Sequence, residues 1–135
     1  MEVYPNLYIS SFYDSFDDIV MSKVGTILNV ASDLNIKFRP NHKYLHCGIL
    51  DDNLEEDIIS ILPKCMKFIN SNIDNGVLIH CLEGKSRSVC VALCYLSIYK
   101  NVNIHNFLCE FNDKIDIFPL YLKQSKKYIS DNIKN

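Results

Sequence analysis

One stretch constrains this chain more than any other. Val77-Leu78-Ile79-His80 runs apolar into Cys81, a short loop with one glycine follows, and Arg87 lies at the start of a segment apolar nearly all round. The run begins after Asn75-Gly76, a strong turn signal, so it reads as a short buried strand. Residues 86–99 read as a helix enclosed by protein, because no polar face is left for solvent. A strand, a tight loop and a helix in that order aim several backbone N–H groups at one spot. The helix N-terminus adds positive potential there, and the nest so formed suits an anion with several oxygens.

The rest of the chain supplies a sheet and helices for this unit to sit in. Residues 7–9 read as a short strand after Pro5, and 26–31 (TILNVA) as a buried one. Residues 43–50 (KYLHCGIL) form another expected strand. Helices are expected over 14–23, with Phe16, Ile19, Val20 and Lys23 at helical spacing, and over 54–72, where Ile58, Leu62, Cys65, Met66 and Ile69 share a face. Pro63 kinks the second or splits it in two. Two more follow near 104–111 and 120–133, the last behind Pro119. Strands alternating with helices predict an α/β domain with a central, mainly parallel sheet flanked by helices. A length of 135 residues predicts a single domain over 1–135.

The chemistry is concentrated in residues 80–88. A cysteine at the base of an amide nest beside a helix N-terminus has its thiolate stabilised, and thiolate is the nucleophilic form. Arg87 carries a planar fork that binds two oxygens of one anion at once, which lysine cannot do. Gly84 permits the tight turn. The Ser88 hydroxyl is placed to steady the thiolate when it departs. Expelling an alkoxide or phenoxide also needs a proton, and Asp51 and Asp52 follow the strand that ends near Leu50. Their loop reaches the nest if that strand lies beside the one ending at His80.

His80 to Ser88 resembles the signature loop of the cysteine-dependent protein phosphatases, H-C-x5-R-[ST], and its Ser-Arg-Ser ending resembles the dual-specificity branch. Leu7-Tyr8-Ile9, Ile27-Leu28-Asn29-Val30, Phe68-Ile69 and Tyr95-Leu96 resemble that branch's landmarks in order, over roughly residues 3 to 130. The resemblance implies a phosphatase fold and hydrolysis of phosphotyrosine and phosphoserine/threonine in proteins through a phosphocysteine. It implies Cys81 as nucleophile, Arg87 as phosphate clamp, and the loop Leu82, Glu83, Gly84, Lys85 and Ser86 as substrate-binding. His80 is expected to order that loop through hydrogen bonds. The family places its general acid about thirty residues before the cysteine, and Asp52, 29 residues before Cys81, takes that place ahead of its neighbour Asp51.

Three features depart from the branch. Lys85 resembles the loops of phosphatases acting on inositol lipids, where extra charge meets extra phosphates. A basic residue that often helps bind a second phosphate is replaced by Ile115, with Lys114 beside it. No kinase-docking domain is expected beside the catalytic module. The alternatives are therefore a phosphatase of phosphoinositides or other polyanionic esters, or a module that binds phosphorylated partners without turning them over.

Charge and cysteine usage narrow the setting. A net charge of −2 argues against binding nucleic acid through a basic surface. No run of about 20 apolar residues, signal pattern or lipidation motif occurs, so no stable membrane anchor is expected. The six cysteines are expected to be reduced thiols of a cytoplasmic or nuclear protein, five of them buried small hydrophobes. Cys90 and Cys94 belong to that core set. His42, His46 and His105 are expected to be ordinary surface or sheet residues, and Lys123, Lys126 and Lys127 a solvated helix face. No metal site is indicated, no cofactor is required, and a monomer is expected.

Overall fold

Hydrophobic alternation and chain crossovers resolve into one five-stranded sheet in a computed structural model of the chain, which describes residues 1–13, 18–32, 41–49 and 57–133. The strands are β1 (Glu2–Tyr4), β2 (Leu7–Ser10), β3 (Thr26–Ala31), β4 (Lys43–Ile49) and β5 (Val77–His80). The helices are α1 (Asp18–Ser22), α2 (Leu62–Asn72), α3 (Arg87–Tyr99), α4 (Ile104–Glu110) and α5 (Pro119–Asn132).

The strand order is β1-β2-β5-β3-β4. β5 pairs in parallel with β2 and β3, and β3 in parallel with β4, so the sheet is mainly parallel as expected. Only β1 runs antiparallel, against β2. All four residues of β5 and all six of β3 are buried, which suits strands covered on both faces.

One face carries the main core. Leu7, Ile9, Leu28, Val30, Val77 and Ile79 meet α2 and α3 there. α3 is buried from Arg87 through Ser97, which explains why its sequence has no polar face. The other face is smaller, with Ile27 and Leu78 meeting Met21 and Val24.

Several local expectations are corrected. Of the two readings of the 54–72 helix, the split one holds over the described part, from residue 57: a 3-10 turn at Ile58–Ser60, then α2, with Pro63 in its first turn. A proline there has no intrahelical partner to lose, so it starts a helix rather than bending one. Between α4 and α5, Asn112–Lys114 form a 3-10 turn. Cys109 is exposed and Cys47 half-buried, so not every other cysteine is a core filler. β4 does not lie beside β5, because β3 separates them. Among the described residues, no helix is long and apolar enough to cross a membrane.

Candidate active site

β5 ends at His80 on the central strand, so the next residue emerges at the middle of the sheet's C-terminal edge. Cys81 is that residue, and it is 2% exposed. Its Sγ lies 3.3 Å from Ser88 Oγ, across the loop and one residue into α3. The amides of Leu82, Glu83, Gly84, Lys85 and Ser86 donate no hydrogen bond among the described residues. A row of undonated amides around a thiol is the expected form of an anion nest.

Three neighbours fix the loop's shape. Phe12 N donates to Leu82 O at 2.9 Å, tying the loop to the segment after β2. Gly84 has φ +73°, and a Cβ there would come within 2.7 Å of the Ser10 backbone, so both conformation and space require glycine. On the far side, Asp116 N donates to Lys85 O at 2.9 Å, and Phe118 N donates to Ser86 Oγ at 3.0 Å. Ser86 is the N-cap of α3, yet its hydroxyl makes no capping bond, being engaged by Phe118 instead. The segment before α5 is thus a clamp on the loop. Sequence reasoning passed over it because the clamping groups are backbone amides, which carry no side-chain signal.

Arg87 is 1% exposed, and its Nη1 donates to Ile49 O at 2.8 Å. That bond joins the loop to the C-terminal end of β4, across the intervening strand. β4 and β5 are not side by side, but the long arginine links the end of β4 to the loop all the same. Asp51 and Asp52 follow that strand and lie outside the described residues.

His80 is fully buried. Neither ring nitrogen meets a partner of good hydrogen-bond geometry among the described residues, so the loop-ordering bonds expected of its ring are not seen. Its ring lies 6.4 Å from the Phe12 ring, on the segment that holds Leu82. Burial pushes its pKa down to about 4, outweighing a smaller opposing effect of the Cys81 backbone, and keeps the imidazole neutral. Cys90, two residues past Ser88, shows what burial does to a thiol without such a loop: its pKa is pushed up to about 12. Lys85 is exposed on the rim of the nest, and Glu83 beside it is exposed too.

With this geometry in hand, likeness to known proteins is informative. The family model for the dual specificity phosphatase catalytic domain matches residues 7–134. Human dual specificity protein phosphatase 9 is 31% identical over 137 residues, covering 98% of this chain and 33% of that relative. The chain spans about a third of the length of the curated relatives it matches (33% and 32%). Two solved structures share the fold at low identity. Human DUSP28 superposes with a TM-score of 0.82 at 21% identity, covering 96% of this chain and 95% of that one. PTPMT1 in complex with PI(5)P superposes with a TM-score of 0.74 at 13% identity, covering 97% and 94%. A match that runs from β2 to the end of α5 takes in every element that shapes the nest, and the chain belongs to the dual specificity phosphatase family.

Proposed function

We propose that residues 1–135 act as one catalytic domain that hydrolyses phosphotyrosine and phosphoserine/threonine in proteins. The observation that carries this reading is the buried Cys81 Sγ, 3.3 Å from Ser88 Oγ, at the head of a loop whose amides from Leu82 to Ser86 donate to nothing among the described residues. In the proposed mechanism Cys81 sulfur attacks phosphorus as the bond to the leaving oxygen breaks. Asp52 gives that oxygen its proton, and Arg87 and the amides of Leu82 to Ser86 stabilise the charge on the equatorial oxygens. Water then attacks the phosphocysteine, passing a proton to the Asp52 carboxylate, while the Ser88 hydroxyl donates to the departing thiolate. His80 supports the loop from below as a neutral ring. The chemistry needs no metal or cofactor, and the setting is a cytoplasmic or nuclear monomer that meets phosphorylated protein substrates.

Lys85 favours a second reading, hydrolysis of phosphoinositides. Its exposed position on the nest rim suits a further phosphate, and the fold is shared with a protein solved in complex with PI(5)P. One set of assays separates the readings. Phosphate release from para-nitrophenyl phosphate by wild type, absent in Cys81→Ser, supports the cysteine mechanism, and equal negligible rates in both reject it. Turnover of phosphopeptides with lipids ignored rejects the second reading. Lipid turnover lost selectively in Lys85→Ala rejects the first. Phosphopeptide binding without phosphate release points to a binding module instead.

A further inference from the structure

Two thiols outside the nest lie on elements that pack against each other. Cys47 lies on β4, half-buried, with its side chain packed on the main core. Cys65 lies on α2 and is fully buried. The elements meet directly: Leu45, two residues before Cys47, shares a cavity wall with Lys64 and Phe68, one residue before and three after Cys65 on α2. Residues two apart on a strand face the same side, so Cys47 points at the helix as Leu45 does. Both lie on the same packed side of the sheet, Cys65 within the main core cluster and Cys47 against it.

The same strand holds the anion site. Ile49, two residues beyond Cys47, accepts the bond from Arg87 Nη1. Between them, Gly48 is pressed on β3 so closely that a Cβ would come within 2.6 Å of Ser32 N. The backbone from Cys47 to Ile49 therefore has little slack, and a pull on Cys47 is felt at the carbonyl Arg87 uses. We propose that Cys47 and Cys65 form a reversible disulfide under peroxide, and that this bond weakens anion binding at Arg87.

The chemistry balances. Cys47 sulfur attacks one oxygen of hydrogen peroxide, the O–O bond breaks, and the departing hydroxide takes a proton to leave as water. Cys65 sulfur then attacks the Cys47 sulfenic acid, the S–O bond breaks, and the second oxygen leaves as water with the Cys65 thiol proton. Two thiols are oxidised by two electrons and peroxide is reduced to two waters. The Cys65 thiol, with Lys64 nearby, lowers the Cys47 pKa, and Cys65 is held protonated. That division suits Cys47 as the attacked thiol and Cys65 as the resolving one.

The disulfide does not depend on the phosphatase reading, and the test keeps the two apart. Cys81→Ser protein is treated with hydrogen peroxide, alkylated and digested, then mapped by mass spectrometry. A Cys47–Cys65 linked peptide is expected, reversed by dithiothreitol and lost in Cys47→Ser and in Cys65→Ala. Sulfinic acid at Cys47 with Cys65 alkylated, or a link from Cys65 to Cys94, overturns the pair. Tungstate is then titrated into the reduced and oxidised Cys81→Ser protein. Affinity in the oxidised form is expected to fall roughly fivefold or more, and recovery with dithiothreitol is part of the expectation. Equal affinity in the two forms overturns the coupling to Arg87.

Discussion

The loop from Cys81 to Ser88 and the helical stretch from Val89 to Leu96 are adjacent in sequence and hold thiols buried to much the same depth, Cys81 at 2% exposure and Cys90 and Cys94 at 0%, yet they are opposite environments. In the helical stretch the backbone amides from Cys90 onward serve the helix, and among the described residues the side chains meet apolar neighbours and a few neutral polar groups. A thiol there, Cys90 or Cys94, has its pKa pushed up chiefly by burial, which outweighs the opposing effect of Ser125. In the loop, the amides of Leu82 to Ser86 serve nothing internal, and the thiol beside them meets a hydroxyl. Burial by itself therefore does not make a site. What differs is where the backbone donors point, and that is set by the turn at Gly84 and the clamps from Phe12, Asp116 and Phe118.

The largest expected effect breaks this comparison at its centre. Cys81→Ser is expected to lose at least about a thousandfold in turnover, ~4 kcal/mol of transition-state stabilisation. Cys90→Ala, two residues past the loop, is expected to keep turnover within a few-fold while losing about 1 kcal/mol of stability to the small cavity it leaves. Turnover of para-nitrophenyl phosphate and urea unfolding of both variants check the pair. If Cys90→Ala were as inactive as Cys81→Ser while folded, the distinction between loop and core thiols would not hold.

A second contrast uses pH. The folded His80 pKa of about 4 lies below the ordinary histidine value of about 6.5. Between those values the unfolded chain binds the proton and the folded chain does not, so stability falls as pH drops through that window. The contribution is fully present above pH ~6.5 and diminishes towards pH ~4, by up to about 3 kcal/mol. Unfolding by urea at pH 7 and pH 4.5, for wild type and His80→Asn, isolates it from the carboxylates. The variant is expected to lose less stability between the two pH values than wild type does. An identical loss in both would mean that the ring is not held neutral by burial.

Much of this was legible in the sequence because the signal was local. The boundaries of β3 and β5 follow from short, mostly apolar runs, and α3 from an apolar stretch too long for a strand. Cys81, Gly84, Arg87 and Ser88 fall where their spacing required, since one loop carries them all. What escaped was non-local or carried by backbone. β1 is three residues before a Pro5-Asn6 turn with Asn6 at φ +68°, too short for alternation to register. The β5-β3-β4 order depends on crossovers that no single segment encodes. Asp51 and Asp52 are separated by family spacing alone, on a stretch outside the described residues.

The smallest expected effect sharpens the comparison where loop meets core. Ser86 stands on the boundary: its carbonyl accepts the first helical bond, from Cys90 N at 2.9 Å, and its hydroxyl accepts from Phe118 N at 3.0 Å. Ser86→Ala leaves the helical bond intact and removes only the clamp. A partly buried N–H without its acceptor costs about 1 kcal/mol, so global stability is expected to fall by about that much. The loop and core accounts part on where the loss appears. If the clamp serves the loop, amide hydrogen exchange quickens at Phe118 and KM for para-nitrophenyl phosphate rises, while amides from Val91 to Leu96 keep their protection relative to global unfolding. If Ser86 matters chiefly as the start of α3, exchange quickens through the first turns of that helix and KM is unmoved. The undirected cap, whose side chain makes no bond to its own helix, favours the first outcome.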